Sequence, residues 1–347
     1  MNPLFAPSFS LFSDVESSLV EVIALAFGQA IALAVAVSWT ATALLNETVC
    51  RRLGAHVVNV LRTVLFLLFI GALLWICTGS PLPPRADATT WGWFLASGLV
   101  GYVFGNYCLF NAYVLIGSRF GQLFLTIAPA VSALAGWGLL GERLSAQALA
   151  GMAVTMTGIA VSILGRGAPE GENEGRRRRK VRLNLPTRGV LLGIGAGVGL
   201  GLEQTLGSVG WKHYAAVWTA AKVDTSTAFL LQLATDQMRM VAGLPVFLLL
   251  LFLAGKGGAL RRACSDGRGW LLMVATVVLP FVGGALSFVA RQITWSVNSS
   301  MGVTMTIMSL TPVLILLPAQ GFFGQRVTLR EVLGALISVA GVALFFV

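Results

Sequence analysis

Ten stretches of predominantly apolar residues, most of them about 20 residues or longer, run through this chain at 22–45, 56–78, 91–115, 119–140, 146–165, 188–210, 228–254, 269–290, 299–320 and 328–347. A helix of about 20 apolar residues crosses the hydrocarbon of a bilayer. A single span must satisfy its backbone hydrogen bonds internally, so such stretches imply helices. The fold class expected is therefore an all-α membrane protein with ten transmembrane helices. Composition agrees: 56% of residues are hydrophobic, 11% are charged and the mean hydropathy is +0.82, which excludes a water-soluble enzyme or scaffold. No Lys or Arg precedes Arg51, so the basic region of a signal peptide is missing and residues 1–21 are expected to remain as an N-terminal segment.

The spans fall into two groups of five, 22–165 and 188–347. Between them lies a charged linker, 166–187, where the acidic run at 169–174 precedes Arg176, Arg177, Arg178, Arg179 and Lys180. Sliding the chain on itself by 183 positions superposes Pro129 on Pro312, Gly138 on Gly321, Gly141 on Gly324, Arg143 on Arg326, Gly151 on Gly334 and Gly158 on Gly341, without a gap. Chance similarity between apolar runs would pair Leu with Val instead, so the register argues for duplication. An odd number of spans per copy makes the second copy enter the membrane with opposite orientation. The expected plan is thus two inverted five-helix repeats, with a binding site near the midplane between them.

The block Pro129, Gly141-Glu142-Arg143-Leu144, Gly151 and Gly158, with its echo in the second half, resembles the EamA-type domain of the drug/metabolite transporter superfamily. The resemblance implies two such domains, ten spans and export of a small organic solute across a cell membrane, the bacterial inner membrane being the expected location. One departure is visible: the second copy has Gln325 where the first has Glu142. Loop charges and family habit point opposite ways on orientation. The loops after spans 1, 3, 5, 7 and 9 hold most cations outside the spans, which places the linker in the cytoplasm and both termini outside; the resemblance implies cytoplasmic termini.

Ionisable side chains within spans are costly and mark candidate sites. Glu203 in span 6 has Gly195, Gly199, Gly207 and Gly210 on its own helical face, a stripe that admits a close partner helix and turns the carboxyl inward. It is the proton-coupling candidate. Arg62 in span 2 and Arg239 in span 7 occupy corresponding places, as Asn59-x-x-Arg62 and Asp236-x-x-Arg239, and suit either a clamp for a carboxylate or phosphate or a snorkelling role. Trp39, Tyr107, Asn111, Asp236 and Trp295 complete the candidate cavity, and Pro129 and Pro312 are candidate hinges.

The expected function is a secondary transporter exporting a metabolite, amino acid or drug by proton-coupled alternating access. An exchanger or uniporter of an anionic phosphorylated or nucleotide-linked solute is the alternative, read by the two arginines. A membrane-embedded lipid-modifying enzyme ranks last, because His56 and His213 lie far apart in sequence with no adjoining acidic pair. The four cysteines and two histidines show no ligand spacing, so neither metal nor cofactor is expected. A formal charge of +10 suggests nucleic acid only until the cations are located in loops, and the partners expected are a small molecule, protons and the bilayer.

Overall fold

The computed structural model describes residues 8–141, 143, 145–166, 181–183, 185–218, 225–296, 301–323 and 327–344. Glu142, Leu144, the linker cations and Gly324 to Arg326 lie outside them. Helices α1 (Ser8–Leu53), α2 (Ala55–Thr78), α3 (Ala88–Ser97), a π-helical segment (Gly98–Gly105), α4 (Asn106–Leu125), α5 (Ala128–Leu140) and α6 (Ala146–Ile163) make the first half. The second comprises α7 (Thr187–Trp218), α8 (Thr225–Leu253), the short α9 (Gly257–Cys264), α10 (Gly267–Ser296), α11 (Met301–Met308), α12 (Thr311–Leu314), α13 (Leu316–Phe323) and α14 (Leu329–Ala343). The one strand pairing among the described residues is a ladder at the base of the linker, where β1 (Leu164–Arg166) pairs antiparallel with β2 (Val181–Leu183).

Eight helical segments among the described residues are long and apolar enough to cross a membrane. The difference from ten has a local cause. Spans 3 and 4 form one run, Ala88–Leu125, interrupted at Gly117, whose φ of 83° and ψ of 162° break the helix at a conformation costly for any side chain with a Cβ. What continues as α5 has 13 residues, and α14 has 15, both short of a full crossing taken alone. Two other prolines, Pro245 and Pro280, stand inside helices that run on through them, α8 and α10.

Pro129 and Pro312 do not bend continuous helices. Each stands in the first turn of a new helix, α5 and α12, where a missing N–H costs nothing. The interruptions before them match: Thr126 N and Ile127 N bond back to the carbonyls of Leu123 and Phe124, while Ser309 N and Leu310 N bond to those of Thr306 and Ile307. The 183-residue offset carries one break onto the other.

Packing follows the same pairing. α1 lies along α10 and α7 along α3 and the π segment; α2 packs on α8 and α6 on α14. The α6–α14 seam is reciprocal: Thr155 Oγ1 donates to the Ser338 carbonyl at 3.5 Å and Ser338 Oγ to the Thr155 carbonyl at 3.4 Å. A Cβ on Gly158 would overlap Ser338, and one on Gly341 would overlap Thr155, so glycine is what lets the backbones approach. Gly158 meets Gly334 while Gly151 meets Gly341, so the two helices run antiparallel. Arg119 ties α4 to α14 through Glu331 at 2.7 Å.

Candidate functional site

α7 is the most glycine-rich helix of the bundle, and its glycines face two ways. Gly193, Gly197 and Gly201 admit Phe124, Ile127, Ala128 and Val131, whereas Gly195 and Gly199 admit Cys108 and the backbone of Gly105. α7 is thereby wedged between α4–α5 and the π segment. Glu203, the seventeenth of its 32 residues, sits at mid-length. Its carboxylate lies over Gly101, where any Cβ would overlap it, and Ser97 Oγ donates to its backbone carbonyl at 3.0 Å. No hydroxyl among the described residues bonds the carboxylate itself.

Arg239 on α8 reaches the same place. Its Nη1 donates to Asp236 Oδ1 at 3.0 Å along one helix face, and its Nε stands 3.7 Å from Glu203 Oε1. Gly98 lets the α8 backbone approach at Arg239, and Gly207 leaves room for the guanidinium against α7. The Phe94 ring lies under it, 5.3 Å from centroid to Cζ. The side chains of Glu203 and Arg239 are 15% and 20% exposed, and that of Asp236 34%, so the cluster opens on the Asp236 side. Arg291 of α10 lies within electrostatic reach of Asp236. Two carboxylates share one guanidinium in the middle of the bundle, which leaves the trio one negative charge in excess when both are ionised.

The π segment makes the wall of this cluster. Gly98, Gly101 and Gly105 touch Arg239, Glu203 and Gly199 in turn, and single π turns inside helices recur at functional sites. Its Tyr102, absent from the expected set, is buried with its hydroxyl 3.2 Å from Thr63 Oγ1 and its ring edge-on to Phe247 at 6.0 Å. The spacing Gly98-x-x-Gly101-x-x-x-Gly105 is the sequence signal that marks this segment.

Of the expected site residues, Glu203, Asp236 and Arg239 come together, while Trp39, Arg62, Tyr107 and Asn111 lie in other contacts. Trp39 packs with Ala32, Val35, Ala290 and Met308 between α1 and α10, because α1 lies against α10 and not α7. Tyr107 meets His56 edge-on at 5.6 Å, and Asn111 spends its amide on the Tyr107 carbonyl one turn back at 2.7 Å. Arg62 lies over the rings of Phe66 and Phe110 at 4.9 and 5.5 Å, and its buried Nε has no hydrogen-bond partner among the described residues. The side chain of Trp295 is outside the described residues. Glu47 is the acidic group that sequence reading passed over: α1 continues to Leu53, beyond the expected end of span 1, and carries it into the interior. There its carboxylate accepts Ser118 N at 2.6 Å, capping the helix that restarts after Gly117, and Arg51 neutralises it at 2.8 Å. The i, i+4 spacing of Glu47 and Arg51 was the available hint.

Residues 26–164 match the model of the EamA-like transporter family, part of the drug/metabolite transporter superfamily. No curated protein matches the chain. One protein crystal structure aligns over 92% of this chain and 96% of its own, with a TM-score of 0.51 and 17% identity, a likeness that speaks to fold alone. Helix lengths and apolarity make the chain a multi-pass membrane protein, and the stretch that matches the family lies in its first half.

Proposed function

We propose that this chain, with an EamA-like first half, is a secondary transporter that moves a small organic solute outward across a bacterial inner membrane by alternating access between two inverted five-span halves. The reciprocal antiparallel seam of α6 and α14 and the matched breaks before Pro129 and Pro312 support the inverted plan. The observation that carries the site is Arg239 held between Glu203 and Asp236 at mid-bundle.

The chemistry follows from sharing. With Glu203 protonated, Arg239 pairs with Asp236 alone, and the neutral carboxyl demands no cation. A solute bearing a cationic group takes the ionised Glu203 and expels its proton; departure of the solute lets a proton return from the more acidic side. Solute and proton thus exclude each other at one carboxylate, which is the requirement of an exchanger. In proteoliposomes, a solute screen read by an internal pH dye identifies the substrate, and Glu203→Gln, which offers a cationic group no charge, is expected to fold while binding the solute more weakly and losing flux driven by a pH gradient. Gradient-driven accumulation equal to wild type would reduce Glu203 to a packing role and move coupling to Asp236.

A second reading, exchange of an anionic phosphorylated or nucleotide-linked solute, is favoured by one observation. Arg62 has aromatic faces and no carboxylate partner among the described residues, as a cation awaiting an anionic ligand would. Loss of organophosphate counterflow in Arg62→Gln with Glu203→Gln unaffected would select it.

A further inference from the structure

Two helices of this protein begin in the same way at opposite faces. Asp87 caps α3, accepting Thr90 N at 2.9 Å, with Trp91 N bonded to its carbonyl at 3.0 Å. Asp266 does the same for α10, accepting Gly269 N at 3.1 Å, with Trp270 N on its carbonyl at 2.9 Å. Each is an Asp followed four residues later by Trp, and α2, 24 residues or about 36 Å long, separates the two levels. Span 3 corresponds to span 8 in the repeat, so these are equivalent caps.

Each cap also holds a basic side chain from the helix packed alongside. Arg52, at the end of α1, gives Asp266 two hydrogen bonds, at 2.5 and 2.7 Å. His213, in the last turns of α7, puts Nε2 2.9 Å from Asp87 Oδ2. Span 1 corresponds to span 6, so the two contacts are counterparts: the end of one half's first helix fastened to the start of the other half's third. Their chemistry differs in one respect. A guanidinium keeps its charge at every physiological pH, while an imidazole changes charge between about pH 5 and 8.

The surroundings leave His213 as the group that switches. Arg85, in the same connection as Asp87, is engaged over the Trp218 ring at 4.7 Å, and Lys212 neighbours His213 on α7. α3, the π segment and α5 present no ionisable acid or base to it apart from Tyr102, which is bonded to Thr63. Arg239 of α8 lies at the level of Gly207 and Glu203 ten residues back, roughly 9 and 15 Å along the helix. Arg119 of α4 belongs to the far end of α7, where Gly189 meets Ile116. Tyr214 donates to the Pro84 carbonyl at 2.7 Å, a tether whose phenol does not titrate in this range.

We propose that Asp87 and His213 form a proton-binding latch at one mouth of the transporter, with Arg52 and Asp266 as its proton-independent counterpart at the other. Acid charges His213 and tightens the Asp87 mouth; alkali leaves a single neutral hydrogen bond and loosens it. The Arg52 mouth does not respond. The proposal rests on the alternating-access reading, but its test reads local opening and not flux, so the two fail separately.

Hydrogen–deuterium exchange in nanodiscs, corrected for intrinsic rates, compares residues 84–92 with residues 265–271 at pH 5.5 and 8. Protection of 84–92 is expected to rise roughly two- to fivefold on acidification, the range an exposed ion pair supplies, while 265–271 holds constant. His213→Arg should keep 84–92 protected at both pH values, and His213→Gln exposed at both. The chain has two histidines, so isotope-labelled imidazole resonances follow His213 directly, and Asp87→Asn should change their dependence on pH. A pH response of 84–92 that persists in His213→Gln, or one absent from the wild type, overturns the proposal. An unchanged His213 titration in Asp87→Asn does so independently, even should the His213 variants fail to fold.

Discussion

Arg62 and Arg239 occupy corresponding positions on spans 2 and 7 and live in opposite surroundings. Arg239 has a carboxylate three residues back and another across the helix interface. Arg62 has the buried amide of Asn59 three residues back and two aromatic rings. One difference at the i−3 position, Asn for Asp, together with the glycine wall that admits Glu203, separates a cation shared by two carboxylates from one with none among the described residues. On the proposed duplication, two like scaffolds carry charge chemistry that diverges residue by residue.

The largest test of that contrast is removal of each cation. Arg239→Leu leaves two carboxylates without their partner and should cost roughly 3 to 5 kcal/mol, nearer the lower figure because Asp236 is a third exposed. Arg62→Leu loses only ring contacts, about 0.5 to 2 kcal/mol. Unfolding titrations in micelles measure both, and equal losses would break the comparison.

The seam between the halves should show the reverse, likeness in place of contrast. Gly158→Ala and Gly341→Ala push a methyl into Ser338 and Thr155 respectively, and each should cost about 1 to 3 kcal/mol. Gly138→Ala, with nothing within 4 Å of its new methyl, is the neutral control. Unequal costs at Gly158 and Gly341 would show that the seam is not reciprocal in energy.

A smaller effect distinguishes the caps by pH. Hydrogen bonds from Thr90 and His213 hold the Asp87 carboxyl below its ordinary range, and the Arg52 guanidinium and the Gly269 amide do the same for Asp266. A carboxylate with a depressed folded value stabilises fully above the unfolded value of about 3.9 and loses that contribution as pH falls through the folded one. Acid unfolding monitored by tryptophan fluorescence should thus be shifted toward neutrality by Asp87→Asn and by Asp266→Asn, with no change in stability near pH 5.5 to 7 arising from either carboxyl's own titration. The smallest change is the transplant Asn59→Asp. It gives Arg62 the i, i+3 carboxylate that Arg239 has, and because burying the new charge offsets the gain from pairing, the net change in the same titration should be close to zero. Destabilisation instead would mean that the Asn59 amide is itself required at that buried position.

The apolar runs, the linker and the 183-residue register are legible in the sequence because hydrophobic spacing and the placement of Pro and Gly are local properties that survive without contacts. They announce a helical membrane protein in two related groups, and the glycine stripe of α7 announces that Glu203 faces a neighbour. Which neighbour is a different matter. That Glu203 meets Arg239 through the windows at Gly101 and Gly207, that Glu47 turns inward to cap the helix after Gly117, and that Trp39 belongs to α10 depend on which helix lies beside which. Apolar periodicity is nearly blind to partner choice in a bundle where almost every face is apolar. The decision falls to close packing at glycines and to the few charges that must find each other out of water.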